Sequence, residues 1–351
     1  MTSKKIRSHN DIEVFQFTHP GAEHSGGRKV ANGVNFKVWN YSAHKRKYIR
    51  SLGEYIDKNG ILKESYLDFW GEWEPDSIVF KLPSNGSSNK ELPKFIQHPV
   101  FLDCNNYKTA DCEDKMSKKI NELKAAQIEK KSKNKALFRQ NTDPFVFGNQ
   151  FMYSSICKAE EVLDMKPGSI ILFGSTKNRN DNGKETKKYY RIDTVFVIKD
   201  IIDFDSDIKK QYKETVYYKA ALNRIYTKDK VHDQNNVQYT HKLFFGATVN
   251  DPINGMYSFA PANISSNTPH PHLQLDEKVF PEVKQNIFIK GQTIVSGEKE
   301  TKLFWERLLN YTYDNGYVPA SRFSEPPIFK KTEEISAYIS DTLLKNFPLT
   351  K

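Results

Sequence analysis

Alternation of apolar and polar positions marks the strands first. Ile12-Glu13-Val14-Phe15-Gln16-Phe17 has the period of two that sends successive side chains to opposite faces of a sheet, and Phe36-Lys37-Val38-Trp39 repeats it. Ser77–Leu82 places Ile78, Phe80 and Leu82 on one face before the loop-forming run Pro83-Ser84-Asn85-Gly86-Ser87-Ser88-Asn89. His44–Leu52 mixes basic residues with Tyr48, Ile49 and Leu52, and reads either as a short helix or as the approach to a strand. Further on, the turn signal Lys166-Pro167-Gly168 leads into Ser169-Ile170-Ile171-Leu172-Phe173-Gly174-Ser175. The Asn-, Gly- and Lys-rich stretch 176–188 reads as an exposed loop. The chain then returns through Tyr189–Ile198, which predicts an antiparallel hairpin.

Helical spacing appears in three places. Glu113–Lys135 sets Met116, Ile120, Leu123 and Ile128 against a Lys-rich face, Glu214–Ile225 is a second helix, and Lys302–Tyr313 carries Leu303, Trp305, Leu308, Leu309 and Tyr313. The pattern predicts an α+β fold with a β-barrel-like, mostly antiparallel core and peripheral helices. Residues 12–264 form one large β-rich domain with a Lys-rich helical insertion at about 113–135. Residues 265–351, which begin with the chain-breaking Pro269–Pro271, form a helical and irregular C-terminal extension.

Composition narrows the class. The 351 residues include 23 Phe, 18 Tyr and 4 Trp, enough aromatic surface to exclude a wholly disordered chain. No apolar run approaches the roughly 20 residues of a spanning helix, and Met1–Ile6 lacks the apolar segment of a signal peptide. Cys104, Cys112 and Cys157 are too few for a disulfide framework and show no CxxC spacing, so free thiols and a cytoplasmic location are expected. Lys and Arg number 53 against 43 acids, a formal charge of +10. That balance favours DNA, RNA or a nucleotide as partner and gives no reason to expect a membrane.

Three segments concentrate chemistry. In Phe69-Trp70-Gly71-Glu72-Trp73-Glu74-Pro75, two indoles offer stacking surfaces and two carboxylates can accept from a base edge. Strand geometry puts Trp70, Glu72 and Glu74 on one face and Trp73 on the other; the alternative is a strand end whose tryptophans belong to the core. The second segment holds His19, Glu23 and His24, then Trp39, Asn40 and the donor cluster His44-Lys45-Arg46-Lys47. Lys45, Arg46 and Lys47 suit phosphate oxygens, or form an ordinary basic surface. The third, Gln140-Asn141-Thr142-Asp143-Pro144-Phe145-Val146-Phe147-Gly148, offers Asn141, Thr142 and Asp143 as a recognition loop, with Phe145 and Phe147 as core.

Other signals are thin. His270-Pro271-His272 lacks a third metal ligand, Cys157 has no histidine near it in sequence, and Asp193, Lys199, Asp200 and Asp203 lack the compact spacing of a nuclease site. No P-loop, GxGxxG, GxSxG or HExxH is present. No metal site is assigned and the cofactor is left unknown.

Met165-Lys166-Pro167-Gly168-Ser169-Ile170-Ile171-Leu172-Phe173, with Asp193–Ile198 as the following strand, resembles the PUA-like barrels (PUA, EVE and ASCH domains) around residues 165–202. The resemblance implies a barrel that binds RNA or a modified base. Ser169 stands where that pattern has Asp, and an ASCH-type GxKxxxxR is absent, so the ligand pocket stays unassigned. Phe17–His24, His44–Tyr48, Phe69–Pro75, Gln140–Gly148 and Ile171–Ile198 resemble an uncharacterised family of bacterial proteins, which implies a bacterial origin and brings no activity with it.

The reading these observations favour is binding of nucleic acid or a (modified) nucleotide. Trp39, Trp70 or Trp73 would stack on the base, with Asn40, Glu72, Asn141, Thr142 and Asp143 around it and Lys45, Arg46 and Lys47 on phosphates. A bacterial defence role fits this reading. The alternative is an enzyme that hydrolyses a glycosidic or phosphodiester bond with His24, His44, Glu72 and Glu74 as acid, base or ligands. A second alternative is a protein–protein adaptor that docks an acidic partner on the 113–135 helix.

Overall fold

Residues 11–20, 34–37, 47–73, 75, 77–82, 92–102, 142, 144–155, 164–181, 184–204, 206–222, 231–232, 238–239, 241–265, 272–285 and 291–343 are described by a computed structural model. The strands are β1 (Glu13–Pro20), β2 (Val34–Lys37), β3 (Lys47–Ile56), β4 (Leu62–Gly71), β5 (Ser77–Lys81), β6 (Phe95–Pro99), β7 (Phe101–Leu102), β8 (Met152–Ser154) and β9 (Ile170–Asp181). They continue as β10 (Lys184–Asp203), β11 (Val231–His232), β12 (Gln238–Tyr239), β13 (Lys242–Gly246), β14 (Ala260–Ile264), β15 (Gln274–Leu275), β16 (Gln292–Ser296), β17 (Val318–Phe323) and β18 (Ile328–Phe329). The described helices are α1 (Ser206–Tyr212), α2 (Glu298–Asp314) and α3 (Thr332–Tyr338), with π-helical turns at Tyr218–Leu222 and Ile339–Leu343. None of them is long and apolar enough to cross a membrane.

Two seven-stranded sheets organise the molecule. The first runs β16-β1-β9-β10-β13-β8, with β15 added to β10. Its centre is the expected hairpin, β9 against β10, from Ile170↔Val197 out to Asp181↔Lys184. The arms therefore extend through most of the stretch expected as a loop. That stretch is polar throughout, so no apolar alternation announces its pairing. The second sheet contains a small closed antiparallel barrel, β17-β14-β4-β3, shut by β17 pairing back onto β3. Closure needs a close approach at Gly53, where a Cβ would lie 2.6 Å from the Arg322 carbonyl oxygen. Strands β6, β5 and β2 continue this sheet beyond the barrel.

The main core lies between the sheets. Phe15, Phe17, Phe173 and Phe196 come from the first, and Ile49, Leu67, Phe69 and Phe323 from the second. Phe69 and Phe323 stack with centroids 4.0 Å apart. Behind the first sheet, Phe304, Trp305 and Leu308 of α2 cover Val14, Leu172 and Val195. Against the other face of the second sheet, Ile335 of α3 and Phe329 of β18 cover Tyr48, Trp70, Ile78, Phe80 and Ile96.

Described residues are mostly strand and the helices are few, so the α+β expectation holds only loosely. The segment 44–52 resolves in favour of a strand, from Lys47. The C-terminal extension expected from 265 onward is in fact built into both sheets: β16 pairs with β1, and β17 closes the barrel. The helix expected at 214–225 is helical over 216–222, the last five residues, Tyr218–Leu222, as a π-helical turn, and 223–225 lie outside the described residues. The 113–135 helix lies outside them.

Candidate functional site

The end of β4 divides its side chains as strand parity requires. Tyr48 pairs with Trp70 and Arg50 with Asp68, which sets these four on one face. Trp70 is 3% exposed; its ring lies 3.9 Å, centroid to centroid, from that of His272, and Tyr48 meets the same imidazole edge-on at 6.3 Å. The Trp70 Nε1–H is buried with no acceptor among the described residues. Glu72, two residues on, is also buried. Trp73 turns the other way, fully buried with its ring 5.2 Å from Phe147. Lys47 shares that inner side, and its ammonium donates to the Trp73 carbonyl oxygen.

His272 ties this aromatic cluster to the first sheet. It immediately precedes the segment in which Leu275 pairs with Tyr190 and Gln274 with Arg191. The Ile192 N–H donates to the Leu273 carbonyl at 3.1 Å, which carries the pairing on and brings His272 level with Asp193, the residue at a bulge in β10. Arg191 pairs on its other side with Ser175 of β9. Ser175, Arg191 and Gln274 thus form a row on one face, running across three strands toward His272.

Arg191 is the most unusual residue of this row. It is 2% exposed, yet no carboxylate lies within ion-pair distance among the described residues. Its contacts are an Nη2–H donated to the Tyr189 hydroxyl at 3.3 Å and a cation–π approach of 5.4 Å to the same ring. Among the described residues Nε–H has no acceptor, and the buried Ser175 hydroxyl has no partner either. A cation–π contact contributes about 0.5–2 kcal/mol, whereas an uncompensated buried charge costs several kcal/mol.

A second polar group occupies the Trp70 face of the barrel sheet. Arg50 holds Asp68 with two bonds, 2.6 Å from Nε and 2.7 Å from Nη2. His98 lies 3.2 Å from the Arg50 carbonyl through Nδ1 and 2.9 Å from the Tyr338 hydroxyl of α3 through Nε2. Because a carbonyl only accepts, Nδ1 carries the proton, and Nε2 accepts from Tyr338. Burial pushes the His98 pKa down to about 4, against a weaker upward pull from the Arg50 carbonyl, so the ring is neutral. The same burial holds the Tyr338 phenol protonated, its pKa raised to about 12.

Of the residues singled out in the sequence, Trp70 and Glu72 are both buried. The structure gives Trp73 the core role and spends Lys47 inside the fold, where strand parity turns it away from any surface phosphate. Thr142 is fully buried. His24, Trp39, Asn40, His44, Lys45, Arg46, Glu74, Asn141 and Asp143 lie outside the described residues. The acidic group is dispersed: Asp193 is buried, Asp200 and Asp203 are exposed, and Lys199 pairs with Asp251 at 2.6 Å. Sequence reasoning missed Arg191, Ser175, His98 and the Arg50–Asp68 pair. The signal available for Arg191 was a charged residue set directly between Tyr189-Tyr190 and Ile192. Among the described residues, no group of three or more His, Cys, Asp and Glu is placed to hold a metal ion. No family model, curated protein or solved structure matches this chain.

Proposed function

We propose that this protein binds a nucleotide, free or as a unit of DNA or RNA, with the base stacked on Trp70. The observation that carries this reading is the imidazole of His272 against the Trp70 indole: a planar nitrogen heterocycle already lies on it, tilted by 39°, beside a buried N–H that lacks an acceptor among the described residues. A base that replaced His272 would lie on the indole face, and a sugar or phosphate oxygen of the same nucleotide, in the plane of the indole, would give that donor an acceptor; Glu72, two residues on, carries a carboxylate that can accept from a base N–H. The +10 charge favours an anionic ligand.

Calorimetric titration of the full chain with the nucleoside monophosphates and with short single-stranded DNA and RNA tests the proposal. Trp70→Phe keeps an aromatic face but removes the donor, and should weaken binding by about fivefold to tenfold, the worth of one hydrogen bond. His272→Ala clears the stacking position and should strengthen it. Identical affinities for wild type and both variants would remove Trp70 from the site.

A further inference from the structure

We infer that Arg191 and Ser175 form the seat of a phosphoryl group. The other arginines whose side chains are described each have a carboxylate: Arg50 with Asp68 at 2.6 Å, Arg307 with Glu282 at 2.7 Å and Arg322 with Glu54 at 3.4 Å. Among the described residues, Arg191 is one of the largest fully buried side chains and has only the neutral Tyr189 as partner. A guanidinium is charged at any physiological pH and cannot escape the cost of burial by losing its proton. An anion that enters and leaves would account for a buried cation without a resident counter-charge.

The donors around it indicate which anion. The guanidinium presents parallel N–H groups that match two oxygens of an oxyanion. Directly across the β9–β10 pairing stands Ser175, its hydroxyl also buried and without a partner among the described residues. A carboxylate has two oxygens, both drawn into the plane of the guanidinium fork, and would have to share one of them with Ser175. A tetrahedral phosphoryl group has a further oxygen for the hydroxyl. Gln274 flanks Arg191 on its other side, two residues beyond the His272 that lies on Trp70. Assigning the phosphoryl group to a nucleotide rests on the reading of the Trp70 site above; the oxyanion seat does not.

The test is thermal melting of the full chain in inorganic phosphate against chloride at equal pH and ionic strength. Wild type should gain melting temperature saturably with phosphate. Arg191→Met should lose that gain while melting in chloride no lower than wild type, because it removes a buried charge that has no counter-ion. Ser175→Ala should raise the half-saturating phosphate concentration about fivefold, and carries the test alone if Arg191→Met does not fold. Equal melting of wild type in phosphate and chloride would overturn the seat, as would a full phosphate response at unchanged half-saturation in Ser175→Ala. Unphosphorylated nucleosides form a separate arm. A response to them that depends on Trp70 and ignores Arg191 supports the base site. A phosphate response with no added effect from nucleosides or nucleotides supports the seat and overturns the nucleotide reading.

Discussion

His98 shows how a single residue can make the whole molecule sensitive to pH. Its pKa is about 4 in the fold and near 6.5 in an unfolded chain, so the native state binds fewer protons between those values. The stability that comes with a neutral His98 is therefore complete above pH 6.5, and is lost as the pH falls toward 4. Over that window the loss amounts to about 3 kcal/mol. His98→Gln, which preserves a donor and an acceptor, should flatten the stability curve there, as denaturant titrations at pH 7 and pH 4.5 would read. An unchanged slope would mean that His98 already titrates normally in the fold. Nothing in Ile96-Gln97-His98-Pro99 points to this role, because both partners of the ring, the Arg50 carbonyl and Tyr338, lie on distant elements. The division of Trp70 from Trp73 was legible, since it follows from strand parity alone.

At the level of elements, the β9–β10 hairpin joins the described parts of the site. Tyr190 crosses over Gly174, and its hydroxyl donates to the Phe17 and Leu172 carbonyl oxygens, 2.8 Å from each. A Cβ on residue 174 would overlap both the Tyr190 ring and the Arg191 carbonyl oxygen. Gly174→Ala should therefore destabilise the protein by about 1–3 kcal/mol, as overpacking does, and should displace the Arg191 row with it. Urea denaturation measures the first effect, and the phosphate response of melting measures the second. The hairpin itself could be read from its turn and its apolar runs. Its polar arms, and β17 with its internal Pro319, could not, because pairing there is decided by partners far away in sequence rather than by local pattern.

Across the whole molecule, the two sheets bring together residues from distant parts of the chain. Trp70 comes from the barrel sheet, Ser175 and Arg191 from the hairpin, and His272 from the segment that joins β10 through β15 and Leu273. Composition and charge pointed to an anionic ligand, but no local motif could show that one arginine would be buried without a carboxylate. That fact depends on what the remainder of the fold leaves out. The central claim is that a nucleotide stacks its base on Trp70 and gives the indole N–H an acceptor from its sugar or phosphate. The chain has 4 tryptophans, so its nitrogen–proton NMR spectrum holds a small set of indole resonances, and Trp70→Phe identifies the one that matters. Titration with a nucleoside monophosphate should shift the Trp70 indole N–H downfield in a saturable manner, leaving that of Trp305, which already donates to the Tyr257 carbonyl at 2.9 Å, in place. A Trp70 resonance that stays fixed while nucleotide binds elsewhere, or while no nucleotide binds at all, would contradict the account.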